Sequence, residues 1–117
     1  MPYLGIDIDD HEQDGVRTLR MSGELDMAAV PTLEATVRRA CEHEDTRALT
    51  LDLSGLAFID STGLAAIVLV SSICAKRGLA FELVPGSRSV QQPFEATGLI
   101  DALPFRRSAA TDGAGRD

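Results

Sequence analysis

The sequence is poor in the residues that most catalytic and cross-linked proteins depend on. It has no tryptophan, one tyrosine, two histidines, two cysteines and one lysine, Lys76. Cys41 and Cys74 show no C-x-x-C spacing and there is no small secreted scaffold to staple, so they read as two reduced thiols, small and apolar, in helices. His11 falls in an expected turn and His43 at a helix end, so neither has a route to a Ser-His-Asp relay, and no G-x-S-x-G elbow is present. Without a Gly-Lys-Ser/Thr run, the stretch from Ser54 to Thr62 cannot be a phosphate loop. The longest apolar run, Leu64 to Val70, is far short of the roughly 20 residues that cross a bilayer. MPYLGIDIDD has no basic region followed by an apolar core, so no secretory leader and no membrane association are expected, and the setting should be cytoplasmic. Eleven basic residues against eighteen acidic ones give a formal charge of -7, and the basic ones are scattered, which argues against nucleic acid. A protein partner or small ligand fits that balance better.

What is present is a chain of 117 residues, 44% hydrophobic, enough for one compact core. Tyr3 to Asp9 and Val16 to Met21 alternate as strands around a turn at HEQDG, residues 11 to 15. Val30, Leu33, Val37, Ala40 and Cys41 share one helical face, giving a helix over Ala28 to Glu42 with Pro31 in its first turn. Ala48 to Leu53 reads as a strand followed by a loop at residues 54 to 57. Leu64 to Arg77 reads as a helix stopped by Gly78, Leu79 to Val84 as a strand, and Ser89 to Thr97 as a weaker helix containing Pro93. The order β-β-α-β-α-β-α implies an α/β fold, a mixed sheet of about four to five strands with helices packed against it. Residues 1–105 form the domain in this reading, and the small polar run at 106–117 forms a disordered tail.

One cluster stands out: FIDSTGLAAI, Phe58 to Ile67, places an acid, two hydroxyls and a glycine at a helix start. If Ser61 opens that helix, a turn of 100° per residue gathers Gly63, Ala66, Ile67, Val70, Ile73 and Cys74 on one side and Ser61, Ala65, Val68 and Ser72 on the other. The first set suits a sheet; the second is small and mixed and suits a docking surface. Asp60 or Ser61 can cap the helix, which needs only one oxygen. A phosphate on Ser61 would sit where helix amides favour negative charge, adding about -1.5 to -2 beside Asp60. That chemistry permits an on/off binding switch.

The carboxylates Asp7, Asp9, Asp10 and Asp52 raise a second possibility, a response-regulator receiver with Asp52 as phosphoryl acceptor. Against it, Val16 to Met21 reads as a strand where a receiver needs a helix, and no Lys-Pro follows a late strand. Solvated turn carboxylates are the plainer reading of Asp7, Asp9 and Asp10.

The run Leu51-Asp52-Leu53-Ser54-Gly55-Leu56-Ala57-Phe58-Ile59-Asp60-Ser61-Thr62-Gly63-Leu64 resembles the signature of STAS domains of the anti-sigma-factor antagonist type. Gly23-Glu24-Leu25-Asp26 is similar to that family's G-E-L-D, and Ala96-Thr97-Gly98-Leu99 to its closing T-G-L; together they span about Leu4 to Leu103. The resemblance implies a bacterial partner-switching protein that is not an enzyme and needs no cofactor or metal. Its unphosphorylated form would bind an anti-sigma factor that is also a serine kinase and so release the sigma factor. Phosphorylation would end that binding, and a serine phosphatase would restore it. Residue by residue, Ser61 becomes the phospho-acceptor, flanked by Asp60 and Asp26, with Asp26 alternatively capping the first helix. Thr62 replaces a common second serine and is a competing acceptor. Gln91-Gln92-Pro93-Phe94 departs from the basic residues that many members carry there. The alternative is a STAS scaffold subunit of a signalling or transport complex, never phosphorylated, with Ser61 only capping its helix.

Overall fold

In the computed structural model, residues 5–106 are described. The chain opens with a hairpin, β1 (Ile6–Gln13) antiparallel to β2 (Val16–Leu25). Its turn is only Asp14-Gly15, at φ of 54° and 85°, the left-handed pair whose twist matches two antiparallel strands. The expected five-residue turn is therefore narrower, and His11, Glu12 and Gln13 belong to β1, paired with Thr18, Arg17 and Val16. Then follow α1 (Val30–Glu42), β3 (Ala48–Ile59), α2 (Ser61–Arg77), β4 (Ala80–Val84), α3 (Arg88–Ala96) and the short α4 (Leu99–Ala102), which the sequence reading lacked. The sheet order is β1-β2-β3-β4, with β2, β3 and β4 parallel. Phe105 adds a parallel bridge to Leu83 beyond β4. This is the mixed α/β sheet the element order implied.

The main departure is β3, which runs on through the expected loop at 54 to 57. Register shifts between Arg20 and Ser22 and between Gly23 and Glu24 absorb the mismatch with β2. Gly55 makes the passage possible, because a Cβ there would lie 2.7 Å from the Met21 carbonyl oxygen. As a result β2 and β3 end level, with Leu25 beside Ile59, and carry Asp26 and Asp60 to one rim of the sheet.

Alternation along the strands turns Leu19, Met21, Leu49, Leu51, Leu53 and Leu83 into the core, while Arg20, Ser22 and Ser54 stay exposed. Burying each such leucine contributes about 1.5–3 kcal/mol. α1 adds Leu33, Val37, Ala40 and Cys41, and α2 adds Ile67, Val70 and Cys74. Gly78, at φ 74°, stops α2 as expected, its amide bonded to the Ala75 carbonyl while Leu79 bonds to Cys74. Pro93 is accommodated inside α3, which buries Val90 and Phe94. The Phe94 ring meets Phe105 edge-on, 5.0 Å between centroids.

Arg106, the first residue of the expected tail, donates its amide to the Leu83 carbonyl at 2.7 Å and its guanidinium to Glu82 at 2.7 Å. The rest of that tail, like Tyr3, lies outside the described residues. Among the described residues no helix is long and apolar enough to cross a membrane.

Candidate functional site

The rim where β2 and β3 end is built from two loops tied together. The Asp60 amide donates to the Leu25 carbonyl at 3.2 Å, continuing the β2–β3 pairing one residue past the strands. On the β2 side, the Asp26 carboxylate accepts from the Ala29 amide at 3.1 Å and its carbonyl accepts from Val30 at 3.1 Å. Of the two roles weighed for Asp26, capping α1 is not the one it takes: the helix begins at Val30 rather than Ala28 with Ala29 as N-cap and no side-chain cap bond, and Asp26 instead closes the turn that precedes it. The other role, contact with a partner, draws on a carboxylate that is half-buried.

Asp60 is the N-cap of α2. One of its oxygens, Oδ1, accepts from the Gly63 amide at 2.9 Å and from the Thr62 hydroxyl at 2.6 Å. These bonds, the Thr62 hydroxyl foremost, with smaller help from the Met27 and Thr62 amides, hold the carboxyl below the ordinary 3.8 of an aspartate. Ser61, the next residue, is exposed in the first turn of the helix, and its hydroxyl has no hydrogen-bond partner among the described residues. Two neighbouring hydroxyls thus stand in different states. Thr62's is committed to the cap and Ser61's is free.

The helical wheel holds in outline. Gly63, Ala66, Ile67, Val70 and Cys74 are buried, Ile73 of the same set is only half-buried, and Ser61, Ala65 and Ser72 are exposed with Thr62. Val68 is corrected: it is half-buried and packs against the core, because the exposed arc runs from Ser61 toward Thr62 and Leu69 and leaves Val68 at its edge. Leu69 takes its place, 46% exposed. At 100° per residue Leu69 lies about 80° from Ser61 and Val68 only about 20°, so the wheel by itself favoured Val68. Sequence reasoning also missed Met27 and Phe58, 71% and 49% exposed, which flank the cap as large apolar side chains. The β2–β3 register shifts decide where Phe58 points, and no local pattern announces them.

The receiver alternative loses its geometry. Asp52 sits in the middle of β3 rather than at a strand end, bonded to the Ser54 amide and 4.0 Å from Arg20. Asp7, Asp9 and Asp10 lie along β1 rather than in a turn, and Asp10 pairs with Arg17 at 2.9 Å.

The family model for the STAS domain matches residues 7–111. The chain is 31% identical over 107 residues to the anti-sigma F factor antagonist of Paenibacillus polymyxa, covering 87% of this chain and 86% of that protein. It is 28% identical over 100 residues to the anti-sigma-B factor antagonist of Staphylococcus aureus strain NCTC 8325 / PS 47, covering 86% and 92%. Among solved structures, an anti-sigma factor antagonist from Mycobacterium paratuberculosis superposes with a TM-score of 0.78 at 28% identity, covering 96% of this chain and 95% of that one.

Proposed function

This chain belongs to the STAS domain family, and on that premise we propose that it is an anti-sigma-factor antagonist switched by phosphorylation of Ser61. The unmodified form binds an anti-sigma factor with serine kinase activity through the rim of Asp26, Asp60, Ser61 and Thr62 and the outward α2 residues Ala65 and Ser72. That binding frees a sigma factor in the cytoplasm. The kinase transfers the γ-phosphoryl group of ATP to the Ser61 oxygen, ADP leaves, and a separate serine phosphatase later hydrolyses the ester. The chain itself acts as substrate and ligand rather than as an enzyme.

The observation that carries this reading is the free hydroxyl of Ser61 beside the committed hydroxyl of Thr62. Phosphoryl transfer to Ser61 breaks no native hydrogen bond, whereas transfer to Thr62 would remove a donor from the cap. The product adds about -1.5 to -2 charge next to an aspartate held ionised, on a surface that also exposes Met27 and Phe58. Repulsion and the desolvation of a phosphate against apolar neighbours both oppose a partner fitted to the bare serine.

Incubation with the cognate kinase and ATP tests the site. One phosphoryl group should be incorporated, Ser61→Ala should abolish it, and Thr62→Val should retain it. Labelling that persists in Ser61→Ala would refute the assignment.

A further inference from the structure

A groove of about 390 Å³ lies between α1 and α2. Leu69 and Ile73 form its apolar surface over the buried Val37 and Val70, and Arg38, Lys76 and Arg77 stand around it. In a chain of net charge -7, three cations at one groove are a local reversal of sign. None of the three makes an ion pair among the described residues. Lys76 and Arg77 lie in the last turn of α2 and complement the helix dipole there, but Arg38 lies before the last turn of α1 and has no such role. The positive charge of Arg77 is felt by the thiols of both Cys41 and Cys74, which places it near the seam between the two helices.

The groove is polarised along its length. Glu34 and Leu69 also line a shallower groove that continues toward Thr62 and Ala65, so the acidic end lies toward the Ser61 rim and the basic end lies away from it. From Leu69 to Arg77 is about 12 Å along the helix at 1.5 Å per residue. The volume falls within the roughly 300–1,000 Å³ of small-molecule sites. A stable protein partner instead covers about 800 Å² on each side.

We propose that the α1–α2 groove binds a small amphiphilic anion, a medium-length acyl or alkyl chain ending in a carboxylate or phosphate. The chain lies against Leu69 and Ile73, above the buried Val37 and Val70, and the head group meets Arg38, Lys76 and Arg77. This site is separate from the Ser61 cap and stands whether or not Ser61 is modified.

Titration of the intact protein with decanoate, decyl phosphate and decyltrimethylammonium, each kept below its micelle threshold, tests the proposal. Amide signals of Val37, Leu69 and Ile73 should shift saturably with at least one of the two anions, which should also displace anilinonaphthalene sulfonate, and the cation should do neither. The double variant Arg38→Glu, Lys76→Glu, on exposed positions, should weaken the anion by about tenfold or more with an unchanged circular dichroism spectrum. Leu69→Asp, also exposed, should weaken it independently. The proposal is overturned if neither anion saturates, if the cation binds as well as the anions, or if both folded variants bind like the parent.

Discussion

Replacing Gly63 by alanine sets two effects of similar size against each other. Helix propensity alone favours alanine over glycine by about 1 kcal/mol. At this position, however, the new methyl would drive into the Leu25 carbonyl oxygen and lie 2.9 Å from both Leu25 Cγ and Ile59 Cγ1. Overpacking of this kind costs about 1–3 kcal/mol when side chains can yield. A backbone carbonyl yields less, and this one also accepts the Asp60 amide, so moving it stretches the bond that joins the two loops of the rim. The clash should therefore win, leaving the variant about 1–2 kcal/mol less stable, or about 4 to 8 °C lower in Tm for a domain of this size. Urea and thermal unfolding measure it. Gly98→Ala is the control: Gly98 has φ 79° but nothing within 4 Å, so it should cost only the left-handed backbone term of about 1–2 kcal/mol and leave the amides of Ser61 and Thr62 unmoved. In Gly63→Ala those amides should shift and kinase labelling should slow. A Gly63→Ala protein as stable as the parent would refute the close-approach argument.

Three further outcomes follow from the geometry. The contribution of the Asp60 cap is complete above the ordinary aspartate value of 3.8 and is lost as pH falls through the lower value of the folded chain; acid titration of the Thr62 and Gly63 amides should therefore show a step below 3.8 that Asp60→Asn lacks, and a step at or above it would contradict the hydrogen-bond pattern. Burial raises the Cys41 thiol and, more strongly, pushes Cys74 up to about 12, so dithionitrobenzoate should leave the native chain unlabelled at pH 8 and label both cysteines in denaturant; rapid native labelling would place a thiol at the surface. Phe94→Ala removes a fully buried ring and the edge-on contact with Phe105, so it should cost about 3–5 kcal/mol in urea unfolding and raise hydrogen exchange at the Arg106 amide.

Much of this architecture could be read from local pattern, because helices and hairpins announce themselves within a few residues. The α1 stripe, the Gly78 stop and the buried side of α2 follow from side-chain spacing that tertiary packing did not override. The length of β3 did not, since Ser54 to Ala57 has the composition of a loop and becomes strand only through β2, a partner some thirty residues away. The short helix α4 was hidden for a similar reason: Gly98 reads as a terminus, and in the fold it follows the Thr97 cap of α3 and is itself the N-cap of α4. At the site, the order Asp-Ser-Thr-Gly supplied the candidates, but which hydroxyl is committed depends on the direction of one 2.6 Å bond. Val68 and Leu69 exchanged places because a wheel assigns an angle and not the breadth of the surface above it.

That bond from Thr62 to Asp60 has a wider meaning for how the domain holds a state. The helix is closed by its neighbours on either side, so the oxygen of Ser61 takes no part in keeping the chain folded. A mark placed there can be written and erased without melting or rebuilding anything beneath it. On the proposed switch the domain would work as a page rather than a lever, with a record legible to whatever docks on the rim and written without disturbing the core.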